Sequence, residues 1–208
     1  MANELINKFN SPEFIVKIEN KLPKLFQIAE LECARAGKIG MEVGSVRERI
    51  LISILISEFG STNVETEIPI TKAEIDVELF GNGISIKTIT GANFSGVKLI
   101  WTVDSAKALE FAKNYYPNHD ILLVQIKWGG TGGLYYIPAL VQQRVFQKLG
   151  KGKYFKLPKK GTNPRGVEIT KEALIALVSD KETKCININW NKAKIDFDPH
   201  ARWIKYWE

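Results

Sequence analysis

The run Ala73-Glu74-Ile75-Asp76-Val77-Glu78-Leu79-Phe80-Gly81-Asn82-Gly83-Ile84-Ser85-Ile86-Lys87-Thr88 constrains the fold more than any other part of the chain. Gly81-Asn82-Gly83 is a turn signal between two short β-rich runs, so the stretch reads as a β-hairpin. Side chains alternate between the two faces of a strand. Ile75, Val77 and Leu79 therefore share one face, and Asp76, Glu78 and Phe80 the other. On the second arm Ile84, Ile86 and Thr88 lie opposite Ser85 and Lys87. If the apolar sets of both arms pack together, Asp76, Glu78, Ser85 and Lys87 emerge on one face. That outcome requires a loop of two or four residues, because a three-residue loop flips one arm. Apolar alternation alone thus brings Asp76 beside Lys87.

An acid that can hold a divalent metal, next to a lysine that can face a phosphate, is a minimal kit for metal-dependent phosphodiester cleavage. The ordinary alternative is a hairpin whose solvated outer face carries a salt bridge. Composition narrows the choice. Only His119 and His200, and only Cys33 and Cys185, are present, which argues against histidine-based metal sites, a four-cysteine zinc site and a disulfide framework. A carboxylate and lysine site suits the inventory better. The 208 residues suffice for one domain with a substantial core. No apolar run is long enough to span a membrane, and Met1-Ala2-Asn3-Glu4 lacks a signal layout, so an intracellular, cytoplasmic, soluble protein is expected.

The net charge is +6, and its distribution matters more than its size. Arg144, Lys148, Lys151, Lys153, Lys156, Lys159, Lys160 and Arg165 fall in a stretch without a single acid. The same stretch carries Gly150, Gly152, Gly161, Tyr154 and Phe155, a composition suited to a loop laid along a phosphate backbone. The competing reading is a solvated lysine-rich loop.

Elsewhere the pattern predicts a helix starting at Ser11-Pro12, a break at Pro23, and a second helix from about Leu25 to Ala36 capped by Gly37. A third helix is expected over Val46 to Phe59, with Ile50, Leu51, Ile54 and Leu55 at helical spacing. Glu65 to Ile70 reads as a strand, Trp101 to Tyr115 as a helix capped by Asp104, and Asp120 to Trp128 as a buried strand. Leu134 to Ile137, Cys185 to Trp190 and Lys194 to Phe197 read as strands. Pro138 to Leu149 and Thr170 to Ser179 read as helices.

The order acid, hairpin, then x-x-Lys at Asp76, Ser85 and Lys87 resembles the PD-(D/E)xK nuclease superfamily, which includes the type II restriction endonucleases. The helix, strand, hairpin, helix, strand order over Gly44 to Trp128 is similar to its αβββαβ core. The resemblance implies an α/β fold with a mixed central sheet flanked by helices, extra helices and strands around it, and one endonuclease domain over 1–208. Its catalytic core would span about 44–128 and its basic DNA-reading region about 144–170. It implies Mg²⁺, double-stranded DNA and a homodimer matched to a palindrome. The runs Ser85 to Thr88, Gly96 to Trp101 and Gln125 to Trp128 resemble one restriction enzyme family more closely, which would make the target CGCG, cut to blunt ends. Structure-selective repair or junction nucleases of the superfamily, and a non-catalytic nucleic-acid-binding module, are the alternatives.

In this frame Asp76 is the metal-binding aspartate and Lys87 the lysine near the scissile phosphate, either stabilising the developing charge or orienting and deprotonating the attacking water. Ile75 stands where the pattern has proline, and Ser85 where it has its second acid. A serine hydroxyl is a weaker Mg²⁺ ligand than a carboxylate. Glu48 is the first candidate to replace that acid, with the backbone carbonyl of Ile86 as a further ligand. Glu78 and Glu67 rank below it. Glu48 has a rival reading, since Ser45-Val46-Arg47-Glu48 fits a capping box. Thr88, Ser95 and Lys98, following the catalytic strand, suit phosphate contacts, as do Lys156, Lys159 and Lys160. Trp101 reads as core. Asn163 and Arg165, on a glycine-flanked turn, could read base edges or merely make the turn. Gln125 and Lys127 either aim at the site or end a sheet. Met41 could part base steps as an apolar wedge, with core packing or a dimer contact as the stronger alternatives. The aromatic tail from Arg202 to Trp207 could stack on bases or bury a dimer seam, with packing the stronger expectation, and the histidines are expected to have no catalytic role.

Overall fold

The fold was described from a computed structural model, which covers residues 2–69, 72, 74–158 and 166–208. In chain order the elements are α1 (Ala2–Phe9), α2 (Pro12–Glu32), β1 (Ala34–Arg35), β2 (Lys38–Ile39), α3 (Val43–Phe59), β3 (Val64–Glu65), β4 (Val77–Leu79), β5 (Asn82–Thr90), β6 (Val97–Ile100) and α4 (Ser105–Asn114). They continue with β7 (Asp120–Ile126), β8 (Thr131–Ile137), α5 (Ala139–Leu149), α6 (Lys151–Tyr154), β9 (Phe155–Lys156), β10 (Val167–Ile169), α7 (Lys171–Val178), β11 (Lys184–Asn189) and α8 (Ala201–Trp207).

Six strands form the central mixed sheet in the order β11-β8-β7-β5-β4-β3. β5 and β7 pair in parallel, as a strand pair joined by the crossover helix α4 can, while its other pairs are antiparallel. β7 is buried almost throughout, which explains its unbroken Ile-Leu-Leu-Val run. Leu122, Val124 and Ile126 face a core shared with α1, α2 and α3. Ile121 and Leu123 face a second core shared with α4, α5 and α7. The order α3, β3, β4, β5, α4, β7 reproduces the expected αβββαβ series. The periodicity did not disclose a second sheet, β6-β10-β9, which covers the far face.

Pro23 does not divide two helices. It sits buried inside α2, although it has no N–H to offer the carbonyl of Glu19. Such a proline costs a helix about 3 kcal/mol. Burying Leu22 and Phe26 on either side, each 0% exposed, contributes about 2 kcal/mol apiece and outweighs that cost. α2 ends earlier than expected because Ala36 and Gly37, both at positive φ, close a two-residue turn between β1 and β2. That geometry is a type I′ hairpin. β3 is only two residues long, with Ile70 outside the described residues, and 194–197 form no strand.

α3 begins at Val43, with Glu42 at its cap position. Ser45 and Glu48 therefore lie inside the helix, Ser45 is not its cap, and the capping-box reading of Glu48 fails. Met41, just before α3, is 95% exposed, which excludes core packing. Trp101 is likewise 69% exposed rather than core. α8 leaves Trp203, Ile204, Tyr206 and Trp207 exposed, so they do not pack into the core of this chain. Among the described residues, no helix is long and apolar enough to cross a membrane.

Candidate active site

The hairpin turn is Phe80-Gly81, one residue earlier than the glycine signal suggested. Phe80 (φ 50°) and Gly81 (φ 74°) form a two-residue loop, and Val77, Glu78 and Leu79 pair with Ile84, Gly83 and Asn82. Phe80 tolerates the left-handed conformation with its ring edge-on to Phe59, at 5.8 Å between centroids. The even loop keeps the parity, so Asp76, Ser85 and Lys87 share a face while Val77, Ile84 and Ile86 enter the first core.

That face is not solvated. Ser85 is 2% exposed, and the Lys87 and Asp76 side chains are 17% and 19% exposed. Asp76 Oδ2 is a shared acceptor: Ile86 N donates to it at 2.5 Å, Lys87 Nζ at 3.3 Å and Ser85 Oγ at 3.4 Å. The bond to Ile86 marks where β4 leaves β5. The backbone N–H of Asp76 still reaches the carbonyl of Ile84, and beyond that point the carboxylate takes the place of a ladder partner.

Past the point where β4 diverges, the edge of β5 opens into a cleft. Ile86, Lys87, Thr88, Ile89 and Thr90 all line it, residues of both parities, as an opened strand edge allows. Gly44 and Glu48 of α3 form one wall; Ser95, Gly96, Val97 and Lys98 form the other. Glu48 thus lines the same cleft as Lys87 and the β5 residues that follow it. Its carboxyl is pushed up, first by burial and then by the negative charge of Asp76, while Lys87 and Arg49 pull it down.

The two carboxylates, Asp76 and Glu48, are hard oxygen donors near enough to feel each other's charge. A divalent cation between them would relieve that repulsion, so the donor set suits a metal such as Mg²⁺. Among the described residues, no group of three or more His, Cys, Asp or Glu side chains gathers as a metal cluster. Such an ion would therefore complete its shell with backbone oxygen and water.

Of the other candidates, Thr88, Ser95 and Lys98 line the cleft. Glu78 is engaged by Lys72 at 2.6 Å, and Glu67 is exposed. Gln125 donates to the carbonyls of Gly91 and Ala92, holding the loop after β5. Lys127 is half-buried beyond the end of β7. His119 is buried, and that burial first, then Lys87, lowers its pKa. Lys159, Lys160, Asn163 and Arg165 lie outside the described residues.

Among the described residues, the basic stretch is built into helices and a strand and is partly ion-paired. Arg144 and Lys148 are on α5, Lys151 and Lys153 on α6, and Lys156 on β9. Arg144 pairs with Asp180 and Glu182, each at 3.0 Å, and Lys153 with Glu172 at 4.0 Å. Glu168 on β10 stands directly across from Lys98 on β6 and Lys156 on β9, at 3.4 and 3.0 Å. The acids are supplied across space by segments that follow the run.

Sequence reasoning passed over Glu74. Burial pushes its carboxyl up to about 7, against the pull of Lys87, and its Oε1 is buried without a hydrogen-bond partner among the described residues. Its position two residues before Asp76 on the same alternation was the available signal.

Comparisons with known proteins identify the family and the fold. The model of the family described as restriction endonuclease ThaI matches residues 9–208. A solved structure described as a restriction endonuclease in complex with substrate DNA is 55% identical, with a TM-score of 0.91, over 98% of this chain and 98% of that one. No curated protein matches. The central sheet with its flanking helices is accordingly a restriction endonuclease fold, and the chain belongs to the ThaI restriction endonuclease family.

Proposed function

We propose that the chain, a type II restriction endonuclease by family, hydrolyses double-stranded DNA at CGCG with Mg²⁺, leaving blunt ends with 5′-phosphates and 3′-hydroxyls. The observation that carries the chemistry is the meeting of Asp76 and Lys87 at 3.3 Å on the lip of a cleft that Glu48 enters from α3. The DNA assignment is supported by the 55% identical restriction endonuclease, whose structure contains substrate DNA.

In this reading Asp76 and Glu48 hold the cation, with Ile86 offering its carbonyl. A divalent ion held there would supply polarisation of the scissile phosphate and a lowered pKa for the attacking water. The hydrogen bonds from Ile86 N and Ser85 Oγ fix the Asp76 carboxylate, so no reorganisation is needed when substrate arrives. Lys87 balances the negative charge that grows on the phosphate during in-line attack by water. Thr88, Ser95 and Lys98 contact the backbone of the bound strand, and Lys156, Lys159 and Lys160 extend the basic surface. Met41, exposed at the tip before α3, parts base steps, while Asn163 and Arg165 read base edges. The working unit is a homodimer, since a palindrome is matched by two-fold symmetry. One domain spans 1–208, with its catalytic core at about 44–128.

The test is digestion of phage DNA with Mg²⁺, with EDTA, and by Asp76→Ala. Discrete fragments that need Mg²⁺, vanish in the variant and end bluntly within CGCG are expected. Fragments with other ends would overturn the target, and Mg²⁺-independent cleavage would overturn the metal site.

A further inference from the structure

Glu48 is carried by a helix, and its reach into the cleft depends on how that helix is held. Its neighbour Arg47 is 5% exposed. Arg47 Nη2 donates to Glu30 Oε1 at 2.6 Å, and Nη1 donates to Thr90 Oγ1 at 3.2 Å. Glu30, itself buried, also accepts a bond from Trp128 Nε1 at 2.8 Å, and Lys192 Nζ lies 3.4 Å from its Oε2. The Arg47 guanidinium rests 5.6 Å from the ring centroid of Phe26. One ion pair thereby joins the last turn of α2, the start of α3, the last residue of β5 and the chain just past β7.

Stability alone is a weak reason for this arrangement. Two buried charges lose hydration that their attraction barely repays, and apolar replacements are often neutral or stabilising. What the guanidinium adds is direction, because its planar fork fixes the angle as well as the distance between its partners. Thr90 is the last of the five consecutive β5 residues that line the cleft. The fork therefore ties the helix bearing Glu48 to the strand bearing Lys87.

Resting on the reading of Glu48 as a metal ligand, we infer that Arg47, locked by Glu30 and Thr90, is the positioning residue that sets where the Glu48 carboxylate stands relative to Asp76. Groups that orient metal ligands without touching the metal are worth about 10- to 100-fold in affinity or activity.

The experiment uses the full chain and four variants: Glu48→Gln, Thr90→Val, Arg47→Lys and the double variant Arg47→Met with Glu30→Gln. The double variant removes both charges but keeps an acceptor for Trp128. Mn²⁺ binding is read from the electron paramagnetic resonance signal of the free ion, alongside thermal melting and kcat and KM for cleavage. The double variant should melt near the parent temperature, bind Mn²⁺ about 10-fold more weakly or worse, and lose kcat with KM for DNA unchanged. Thr90→Val should move Mn²⁺ affinity the same way by less, and Arg47→Lys, which keeps the charge but not the fork, should not restore it. A folded double variant with parental Mn²⁺ affinity and kcat would overturn the inference. If the double variant does not fold, unchanged Mn²⁺ affinity in Thr90→Val overturns it instead. Failure of the underlying reading is distinguishable: there, Glu48→Gln itself would leave Mn²⁺ affinity and cleavage intact.

Discussion

Lys87 Nζ lies 3.3 Å from Asp76 Oδ2, and both side chains are more than four-fifths buried. The pair is held by an adjacent backbone bond from Ile86, so it does not depend on two flexible side chains meeting by chance. Lys87→Ala should lower kcat about 10²- to 10³-fold, the usual cost of losing one group that meets developing charge, with DNA affinity retained. Asp76→Ala should abolish detectable cleavage. Cleavage kinetics together with filter binding in Ca²⁺ check both; retained turnover in either variant would sink the assignment.

Glu74 gives the protein a specific dependence on pH. Its carboxyl is raised by burial from 4.5 to about 7, so between those values the folded state binds a proton that the unfolded state has released. Stability from this group is therefore full below about pH 4.5 and is lost as pH rises through 7. Glu74→Gln, which stays neutral, should raise the melting temperature at pH 8.5 and leave it nearly unchanged near pH 4.5. Equal effects at both pH values would contradict the burial argument.

Breaking the buried hub on one side only is expected to be costly. Glu30→Ala leaves Arg47 in the interior without its carboxylate, a defect worth about 3–5 kcal/mol. Urea titration of Glu30→Ala measures it, and a loss under about 1 kcal/mol would show that water reaches Arg47.

Lys98 and Lys156 are already paired with Glu168, which would moderate any attraction of theirs for phosphate. If both contact phosphates, Lys98→Ala and Lys156→Ala should each reduce the slope of log affinity against log salt by about 1, without changing the recognised site. Glu168→Gln should strengthen non-specific binding at low salt. An unchanged salt slope for Lys98→Ala would place that lysine away from the backbone.

Met41 is 95% exposed, so Met41→Ala should alter folding stability by no more than about 0.5 kcal/mol. Its effect should instead appear as weaker DNA binding. Thermal melting and binding to a CGCG duplex separate the two, and a destabilised fold with unchanged binding would refute the wedge.

What could be read in advance follows the range of the physics involved. The parity of Asp76, Ser85 and Lys87 was legible because alternation is local and the loop length is even. The run of β7 was legible because burial on both faces makes Ile121 to Val124 continuously apolar. Helix starts were less legible: Ser45 and Glu48 matched a capping box, yet the helix had begun at Val43. Pro23 misled because packing at Leu22 and Phe26 outweighs the break. Part of the balance of the basic run was hidden for a different reason: Asp180, Glu182, Glu172 and Glu168 meet Arg144, Lys153 and Lys156 only after the chain folds back. The second sheet and the Glu30–Arg47 pair likewise join segments far apart in the chain, where no short-range pattern reports them.

Asp76 and Lys87 belong to one hairpin, whereas Glu48 arrives on a separate helix. Bonds along a ladder hold the first two in place; the third is held by packing and by the side-chain bonds of Arg47 to Glu30 and Thr90. Helix ends open locally long before a sheet melts. Warming should therefore loosen the Arg47 fork, and with it the start of α3, while the hairpin remains intact. Enzymatic function would then disappear at a lower temperature than β-sheet ellipticity, and would return on cooling without any refolding of the sheet.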